Sequence, residues 1–230
     1  MSAERAGEEC TNLGEVKKEL VIHLICNIAA AAAGAAAFCM IAGYCSPGNG
    51  RGSRPLCTWI FRGTGGITAL YCLHRYEEAG ACLTMFGFFC ILAAVALTDL
   101  GRREIPDMYC AAVVILAFIS AFTLPGLPVW ERAAGSLCVS LPFLVVAVAV
   151  PGAFGGGDVK LMAACGLFLG VKITAVAAAA GILLAGCAGA GLVLSGRRGK
   201  RGVLALGPFL CAGMTAGVIW GEQMIQWYIS

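Results

Sequence analysis

Long apolar stretches, separated by short polar segments, extend along most of this chain. They are rich in Ala, Leu, Val, Ile, Phe and Gly and lack the alternation of a strand that is buried on one face. Apolar runs of this length are typical of helices that cross a membrane. The pattern predicts eight helical segments, at residues 20–44, 60–76, 80–98, 108–124, 133–150, 159–170, 173–194 and 203–221. We therefore predict an all-α fold, a polytopic transmembrane bundle of about seven or eight helices.

Two of these segments depart from the pattern. Segment 60–76 contains Arg62 and several glycines, and segment 159–170 is shorter than the ~20 residues that a straight crossing needs. Each is therefore either re-entrant or longer than the range given. The composition still indicates a membrane protein, because 60% of the residues are hydrophobic, 13% are charged and the mean hydropathy is +0.86.

Basic residues indicate which ends of the helices face the cytoplasm. Arg102 and Arg103 follow the third segment, and further basic residues occupy the loops 45–57 and 197–201. We predict that these positions and the glycine-rich loop 151–158 are cytoplasmic, and that both termini lie outside. The expected location is the inner or plasma membrane.

We predict a single membrane domain at residues 63–230. The N-terminal segment that precedes it, residues 1–62, is predicted to contain one transmembrane helix and a short cytoplasmic loop. The flank before the first helix is acidic, and the apolar run is longer than the ~7–15 residues of a signal peptide core, so we interpret it as a retained span.

Thirteen cysteines occur in the chain, and nine of them lie inside apolar segments, where we predict buried thiols. These nine are Cys26, Cys39, Cys82, Cys90, Cys110, Cys138, Cys165, Cys187 and Cys211. The chain has no Cys-x-x-Cys pair, which is the spacing typical of a zinc site. We therefore predict no metal and no cofactor.

Two aspartates lie at the cytoplasmic ends of apolar segments. Asp99 follows one segment and Asp158 begins another, so each carboxylate is predicted to lie at or just under the membrane surface, near the other. Two close carboxylates do not both ionise readily, so the pair holds one proton. Such a pair can activate a water molecule and polarise a peptide carbonyl, which is the chemistry of an aspartic protease.

Three glycines, Gly155, Gly156 and Gly157, directly precede Asp158. We predict that they give the loop unusual backbone freedom and let a peptide substrate approach the carboxylate closely. A simpler interpretation stays open for both aspartates. Asp158 is equally suited to cap the helix that begins at residue 159, and Asp99 is suited to pair with an arginine three or four residues later.

Two further charged residues flank this region. Asp107 follows Ile-Pro and is predicted to be mainly a helix-start residue. Lys160 is predicted to be a lysine that extends to the membrane surface, and the alternative is a charge that acts on the aspartates or on a substrate carbonyl.

Taken together, these motifs resemble the type IV prepilin peptidase family of membrane aspartic endopeptidases. The family pattern is an aspartate several residues before Ile/Leu-Pro-Asp/Asn, and later Gly-x-Gly-Asp followed by Lys-Leu. Here the pattern corresponds to Asp99 before Ile-Pro-Asp at 105–107, and to Gly-Gly-Gly-Asp-Val-Lys-Leu at 155–161. Residues 204–213, Leu-Ala-Leu-Gly-Pro-Phe-Leu-Cys-Ala-Gly, resemble the family's C-terminal segment, and residues 63–76 more loosely resemble the helix before its core.

The resemblance implies that Asp99 and Asp158 are the catalytic pair and that the substrate is a prepilin-like protein with a basic leader. Gly155–Gly157 would be a substrate loop, with Lys160 and Asp107 as possible supporting residues. The expected partners are this substrate and the lipid bilayer, without nucleic acid. Bifunctional members carry two Cys-x-x-Cys pairs and methylate the new pilin terminus. The short loop 45–57 has neither pair, so we expect no methyltransferase zinc module and peptidase activity alone.

Other functions remain open at this stage. A peptidase for Tad-type pilins, competence pseudopilins or preflagellins would differ only in its substrate. A proton- or cation-coupled transporter would use the same aspartates as ion ligands, but near the bilayer midplane. The remaining alternative is a structural subunit of a secretion machine without catalysis.

Overall fold

A computed structural model describes residues 26–41, 55–76, 78–124, 126–150, 155–195 and 205–229. Of these, residues 55–62, 193 and 228–229 are described by their backbone only. Three features predicted from charge lie outside the described residues: the acidic stretch before residue 20, most of the loop 45–57 and the basic cluster 197–201.

The described residues form seven α-helices and no strand, which confirms the predicted all-α fold. In chain order the helices are α1 Cys26–Ile41, α2 Pro55–Arg75, α3 Ala79–Arg102, α4 Asp107–Thr123, α5 Val129–Ala149, α6 Gly156–Leu194 and α7 Gly207–Ile229. Each corresponds to one predicted apolar segment, except that α6 contains two of them.

Local sequence explains where α3 ends and α4 and α5 begin. Arg103, the residue after α3, has a left-handed backbone with φ of 56°, and its N–H donates to the carbonyl oxygen of Asp99. Pro106 and Pro128 immediately precede α4 and α5, where a proline with φ near −65° favours an extended approach to the helix. Short connections therefore link α3 to α4 and α4 to α5, and α3 packs against α4.

Helix α6 reverses direction at Gly170. This residue has φ of 77° and ψ of 178°, a backbone that glycine adopts without steric cost. After the reversal, Ile173 lies next to Gly221 of α7, and Gly181 lies next to Leu210, near the beginning of α7. The second half of α6 therefore runs antiparallel to α7 and returns toward the end where α6 began. The sequence predicted this turn one residue later, at 171–172.

Helix α6 lies at the centre of the packing and contacts α4, α5 and α7. Glycines permit the closest approaches: a methyl group on Gly135 of α5 would lie 2.5 Å from the carbonyl oxygen of Gly166 in α6. Small residues of this kind are typical of contacts between membrane helices. In the interior, the rings of Phe88 and Phe168 stack with centroids 4.3 Å apart. These contacts hold both halves of α6 against the rest of the bundle.

Among the described residues, three helices are long and apolar enough to cross a membrane: Ala79–Arg102, Val129–Ala149 and Gly156–Leu192. Cys26–Ile41 and Asp107–Thr123 are apolar but shorter. Together with the apolar composition, these helices identify a helical membrane protein. The first half of α6 remains shorter than a straight crossing, as the sequence predicts for segment 159–170.

The prediction that the cysteines of the apolar segments are buried is correct only in part. Cys110, Cys165 and Cys211 are buried, as is Cys72. The exposed or partly exposed ones are Cys26, Cys39, Cys82, Cys90, Cys138 and Cys187. An apolar helix in a bilayer has faces toward lipid as well as toward protein, so apolar surroundings in the sequence do not determine burial within the protein.

A buried arginine connects helix ends at one end of the bundle. Arg132 of α5 is 4% exposed, and its guanidinium donates to the hydroxyl of Ser120 at 2.6 Å. It also donates to the carbonyl oxygens of Ser120 and Leu124, in and just beyond the last turn of α4, and to that of Phe168, just before the reversal in α6. These contacts lie at the end of the bundle that contains Gly170, here called the reversal end. The end that contains Asp99 and Asp158 is called the aspartate end.

Candidate active site

Asp99 lies in the last turn of α3 and is 6% exposed. Its Oδ2 accepts a hydrogen bond of 2.9 Å from the backbone N–H of Gly207, the first residue of α7. Within the part of the chain that the structure describes, Asp99 forms no ion pair with Arg102 or Arg103. The side chain is therefore held by α7 rather than by the arginines of its own helix end.

Asp158 is the third residue of α6 and is 9% exposed. Its Oδ2 accepts the N–H of Gly155 at 3.2 Å, as an acidic side chain in the first turn does when it reaches back to the residue before a helix. Its Oδ1 is buried and has no hydrogen-bond partner among the described residues. One oxygen therefore caps the helix, while the other is left without a partner. Asp158 is therefore not the N-cap residue that the sequence predicted, because the helix begins three residues earlier, and its Oδ2 closes the first turn from the third helical position instead.

Both aspartates line a cavity of about 410 Å³ at the aspartate end. The other residues around the cavity are Arg103, Glu104, Ile105, Asp107, Gly155, Gly156 and Gly157. The cavity is thus formed by the end of α3, the α3–α4 connection and the beginning of α6, with four carboxyl groups and one guanidinium.

The three glycines before Asp158 differ in how much space a side chain would have at each position. A methyl group on Gly157 would lie 3.0 Å from Cβ of Ile105, so this glycine lets α6 approach the α3–α4 connection closely. A methyl group on Gly156 would meet nothing within 4 Å, and one on Gly155 would lie 3.3 Å from Oδ2 of Asp158. The prediction of unusual backbone conformations is wrong here, because Gly170 is the one glycine with positive φ among the described residues.

Asp107 and Lys160 form an ion pair at the rim of the cavity. Nζ of Lys160 lies 2.8 Å from Oδ1 and 3.0 Å from Oδ2 of Asp107, and both side chains are more than half exposed. Asp107 is also the first residue of α4, as predicted for a helix-start residue. The pair connects the beginnings of α4 and α6, and Lys160 contacts neither Asp99 nor Asp158 through a hydrogen bond in the described part of the structure.

Gly207 is a site residue that the sequence reasoning did not single out. A methyl group there would lie 2.6 Å from Oδ2 of Asp99, so α7 can begin at this position only without a side chain. The Leu-Gly-Pro-Phe motif at 206–209 was the available signal. The hydrogen bond from Gly207 to Asp99 forms only through tertiary packing, because the two residues are more than one hundred positions apart in the chain.

Two close carboxyl groups in a partly enclosed cavity can share one proton and act together as acid and base. In the described ranges, no group of three or more His, Cys, Asp and Glu side chains is placed to hold a metal ion. The arrangement is therefore suited to proton transfer during the attack of water on a polarised carbonyl group.

Comparison with known proteins identifies relatives of most of this region. Residues 86–193 match the model of the type IV leader peptidase family. Over 145 residues, the chain is 36% identical to the prepilin leader peptidase/N-methyltransferase of Bacillus subtilis (strain 168), which covers 62% of this chain and 57% of the relative. It is 25% identical to the proteins of the same name from Aeromonas hydrophila and Aeromonas salmonicida (strain A449), over 61% of this chain and 50% of each relative.

The chain thus spans about half the length of the curated relatives it matches. No solved structure is significantly similar to it. The matched segment contains both aspartates of the cavity, the Ile-Pro-Asp motif and the glycine motif. The resemblance that these motifs indicated is confirmed, because residues 86–193 of this chain match the type IV leader peptidase family.

Proposed function

We propose that this protein is a membrane aspartic endopeptidase that removes the basic leader of prepilin-like precursors at the cytoplasmic membrane face. The observation that carries the proposal is the pair of buried carboxyl groups, Asp99 and Asp158, in one cavity at the end of the bundle. The relatives named prepilin leader peptidases support the reaction and the class of substrate.

In the proposed mechanism the pair holds one proton. The ionised carboxylate takes a proton from water, whose oxygen forms a bond to the carbonyl carbon of the scissile peptide, while the protonated carboxyl group donates its proton to the carbonyl oxygen. When the C–N bond breaks, a proton passes to the leaving nitrogen. The products are a new carboxyl group on the leader and a new amine on the mature protein, and the pair again holds one proton.

The surroundings of the oxygens suggest which of them carry the proton. Oδ2 of Asp99 and Oδ2 of Asp158 each accept a backbone N–H, so these atoms favour the unprotonated form. Oδ1 of Asp158 has no such donor in the described structure. The shared proton is therefore assigned to Oδ1 of Asp158, and Asp99 is assigned the role of the base that accepts a proton from water.

The location of the pair suits a substrate whose cleavage site lies where a basic leader meets a transmembrane helix. Glu104 and Asp107 add carboxylates to the cavity lining, which favours a cationic peptide over an anionic one. Asp99 lies in the last turn of α3 and Asp158 in the first turn of α6, so both are at helix ends. Hydrolysis at the surface fits this position better than ion transport at the bilayer midplane.

The test is co-expression with a prepilin-like substrate, with Tad-type pilins and preflagellins as further substrates. Leader removal is scored by gel shift and N-terminal sequencing for the wild type, Asp99→Asn and Asp158→Asn. We expect each substitution to lower cleavage by at least about a thousandfold, because neither partner alone can both accept and donate the protons.

The matched control is Glu222→Gln, an exposed carboxylate of α7 at the reversal end that pairs with Arg75. It should cleave like the wild type. Cleavage by the folded Asp99→Asn or Asp158→Asn protein would refute the mechanism, and failure of the wild type on every class of prepilin would refute the function.

A further inference from the structure

An apolar groove extends from the candidate active site along the outside of the bundle. It has a volume of about 410 Å³ and lies between α4, α5 and the first half of α6. Its apolar and small residues are Cys110, Ala111, Val114, Ala163, Ala164 and Leu167, with Ser136 contributed by α5. Ala111 is exposed and Val114, Ser136, Ala163 and Leu167 are half-buried, so the groove is open toward the surroundings of the helix bundle.

The groove adjoins the cavity of the two aspartates. Asp107 lines both of them, and its ion pair with Lys160 stands where the groove begins. From Asp107 to Val114, and likewise from Lys160 to Leu167, the groove follows two turns of helix, which is ~10 Å of length. A molecule in the groove would therefore have one end at the candidate active site and the rest within the membrane.

We infer that this groove binds the first two turns of the substrate's transmembrane helix, directly after the cleaved bond. The inference rests on the proposed function. A substrate that presents a basic leader to the cavity must continue as an apolar helix along the membrane side of the enzyme. The groove shares Asp107 with the cavity, and the small side chains of Ala111, Ala163 and Ala164 allow a helix to approach closely.

The groove thereby gives the enzyme a second element of recognition. Helix packing in the groove would fix the depth of the substrate in the membrane, and the peptide bond presented to Asp99 and Asp158 would follow from that depth. A precursor with bulky side chains in the first two turns after the cleavage site would fit poorly, because the half-buried Val114 and Leu167 already fill part of the groove.

Photo-cross-linking tests this placement directly. p-Benzoylphenylalanine replaces Ala111 in the Asp158→Asn protein, which should hold an intact prepilin, and in a second protein it replaces Ala121. Ala121 is also exposed on α4 and does not line the groove, so it is a matched control. We expect cross-links to the prepilin from position 111 and few or none from position 121. Equal cross-linking at both positions, or none at position 111, would overturn the inference.

A kinetic comparison separates the groove from the reaction itself. Cleavage of a full-length prepilin is compared with cleavage of a short peptide that contains the leader and the cleaved bond but no transmembrane helix. Ala111→Phe should lower the ratio of the two kcat/KM values about tenfold relative to the wild type, whereas Ala121→Phe should not change it. An unchanged ratio for Ala111→Phe contradicts the groove. Absence of cleavage by the wild type contradicts the proposed function instead.

Discussion

At Asp158, the two oxygens of one carboxyl group have different surroundings. Oδ2 closes the first turn of α6 through the N–H of Gly155, and Oδ1 is buried without a partner in the described structure. A capping residue and a reactive residue are often treated as alternatives for an aspartate at a helix start. Here one side chain can have both functions, because the cap uses a single oxygen and fixes the direction in which the other points.

The position of Asp99 depends on the absence of a side chain at Gly207. We predict that Gly207→Ala lowers kcat/KM for leader cleavage by about tenfold or more, because the added methyl group would lie 2.6 Å from Oδ2 of Asp99 and must displace either the carboxylate or α7. Cleavage kinetics of the purified protein, with its melting temperature measured in parallel, provide the measurement.

Gly186→Ala is the control for this substitution, since a methyl group there meets no atom within 4 Å. It should retain wild-type kinetics. If Gly207→Ala cleaves as fast as the wild type, α7 does not position Asp99 for the reaction.

The sequence predicts the aspartates of the site but not their donors. Asp99 and Asp158 stand out because a charge at the end of an apolar segment is costly and needs a reason. The N–H of Gly207 comes from the beginning of a helix 108 positions later in the chain, and no local pattern indicates that this helix starts against Asp99. That only one of the two Asp158 oxygens has a hydrogen-bond donor in the described structure likewise depends on atomic distances.

At the level of the helices, the side chain of Arg132 connects the ends of α4, α5 and α6 at the reversal end. Arg132 donates to carbonyl oxygens in and just after the last turn of α4 and to one just before Gly170. Carbonyl groups at helix C-termini have no partner within their own helix, so the guanidinium satisfies several of them at once. Because the reversal in α6 determines how its two halves pack, Arg132 supports the packing far from the aspartates.

We predict that Arg132→Leu lowers the free energy of unfolding by ~1–3 kcal/mol, because it removes the donor to the Ser120 hydroxyl and to the carbonyl oxygens of Ser120 and Leu124. Arg75→Leu removes an arginine that pairs with Glu222 while both side chains are more than half exposed, and should cost less than ~1 kcal/mol. Unfolding in detergent, followed by circular dichroism, would measure both. Equal effects of the two substitutions would mean that Arg132 does not connect the helix ends.

The helices were largely predictable because apolar runs and their interruptions are encoded locally. The reversal in α6 followed from the shortness of segment 159–170, and the structure places it at Gly170. Apolarity alone did not predict which face of each helix packs against the protein and which face is exposed. Cys138 and Cys187 are exposed while Cys165 is buried, although all three lie in similar apolar surroundings in the sequence.

In the whole molecule, the two ends of the bundle are predicted to face opposite sides of the membrane. Arg102 and Arg103 lie at the aspartate end, and from the charge pattern of the sequence we predict that this end faces the cytoplasm. Gly126 lies in the connection between α4 and α5 at the opposite end, and Ser195 directly follows the second half of α6, which returns to the aspartate end.

The expected absence of a methyltransferase activity stays a prediction from the loop 45–57.

We predict that an epitope tag inserted after Gly126 binds antibody on intact spheroplasts, whereas a tag inserted after Ser195 binds only after the membrane is permeabilised. The reason is that two connections at opposite ends of a membrane bundle face opposite compartments. Leader cleavage by each tagged protein checks that the insertion is tolerated. The reverse accessibility would place Asp99 and Asp158 outside the cytoplasm and would contradict the proposed cleavage of a leader that remains inside.

The hydrogen bond between Gly207 and Asp99 also bears on what constitutes the smallest functional unit of this protein. The segment that matches the family ends at residue 193, but the donor that holds Asp99 belongs to α7, beyond that boundary. A fragment cut at the boundaries of the family model would contain both aspartates and lack the group that orients one of them. We therefore expect a minimal version with the proposed peptidase activity to include at least the beginning of α7.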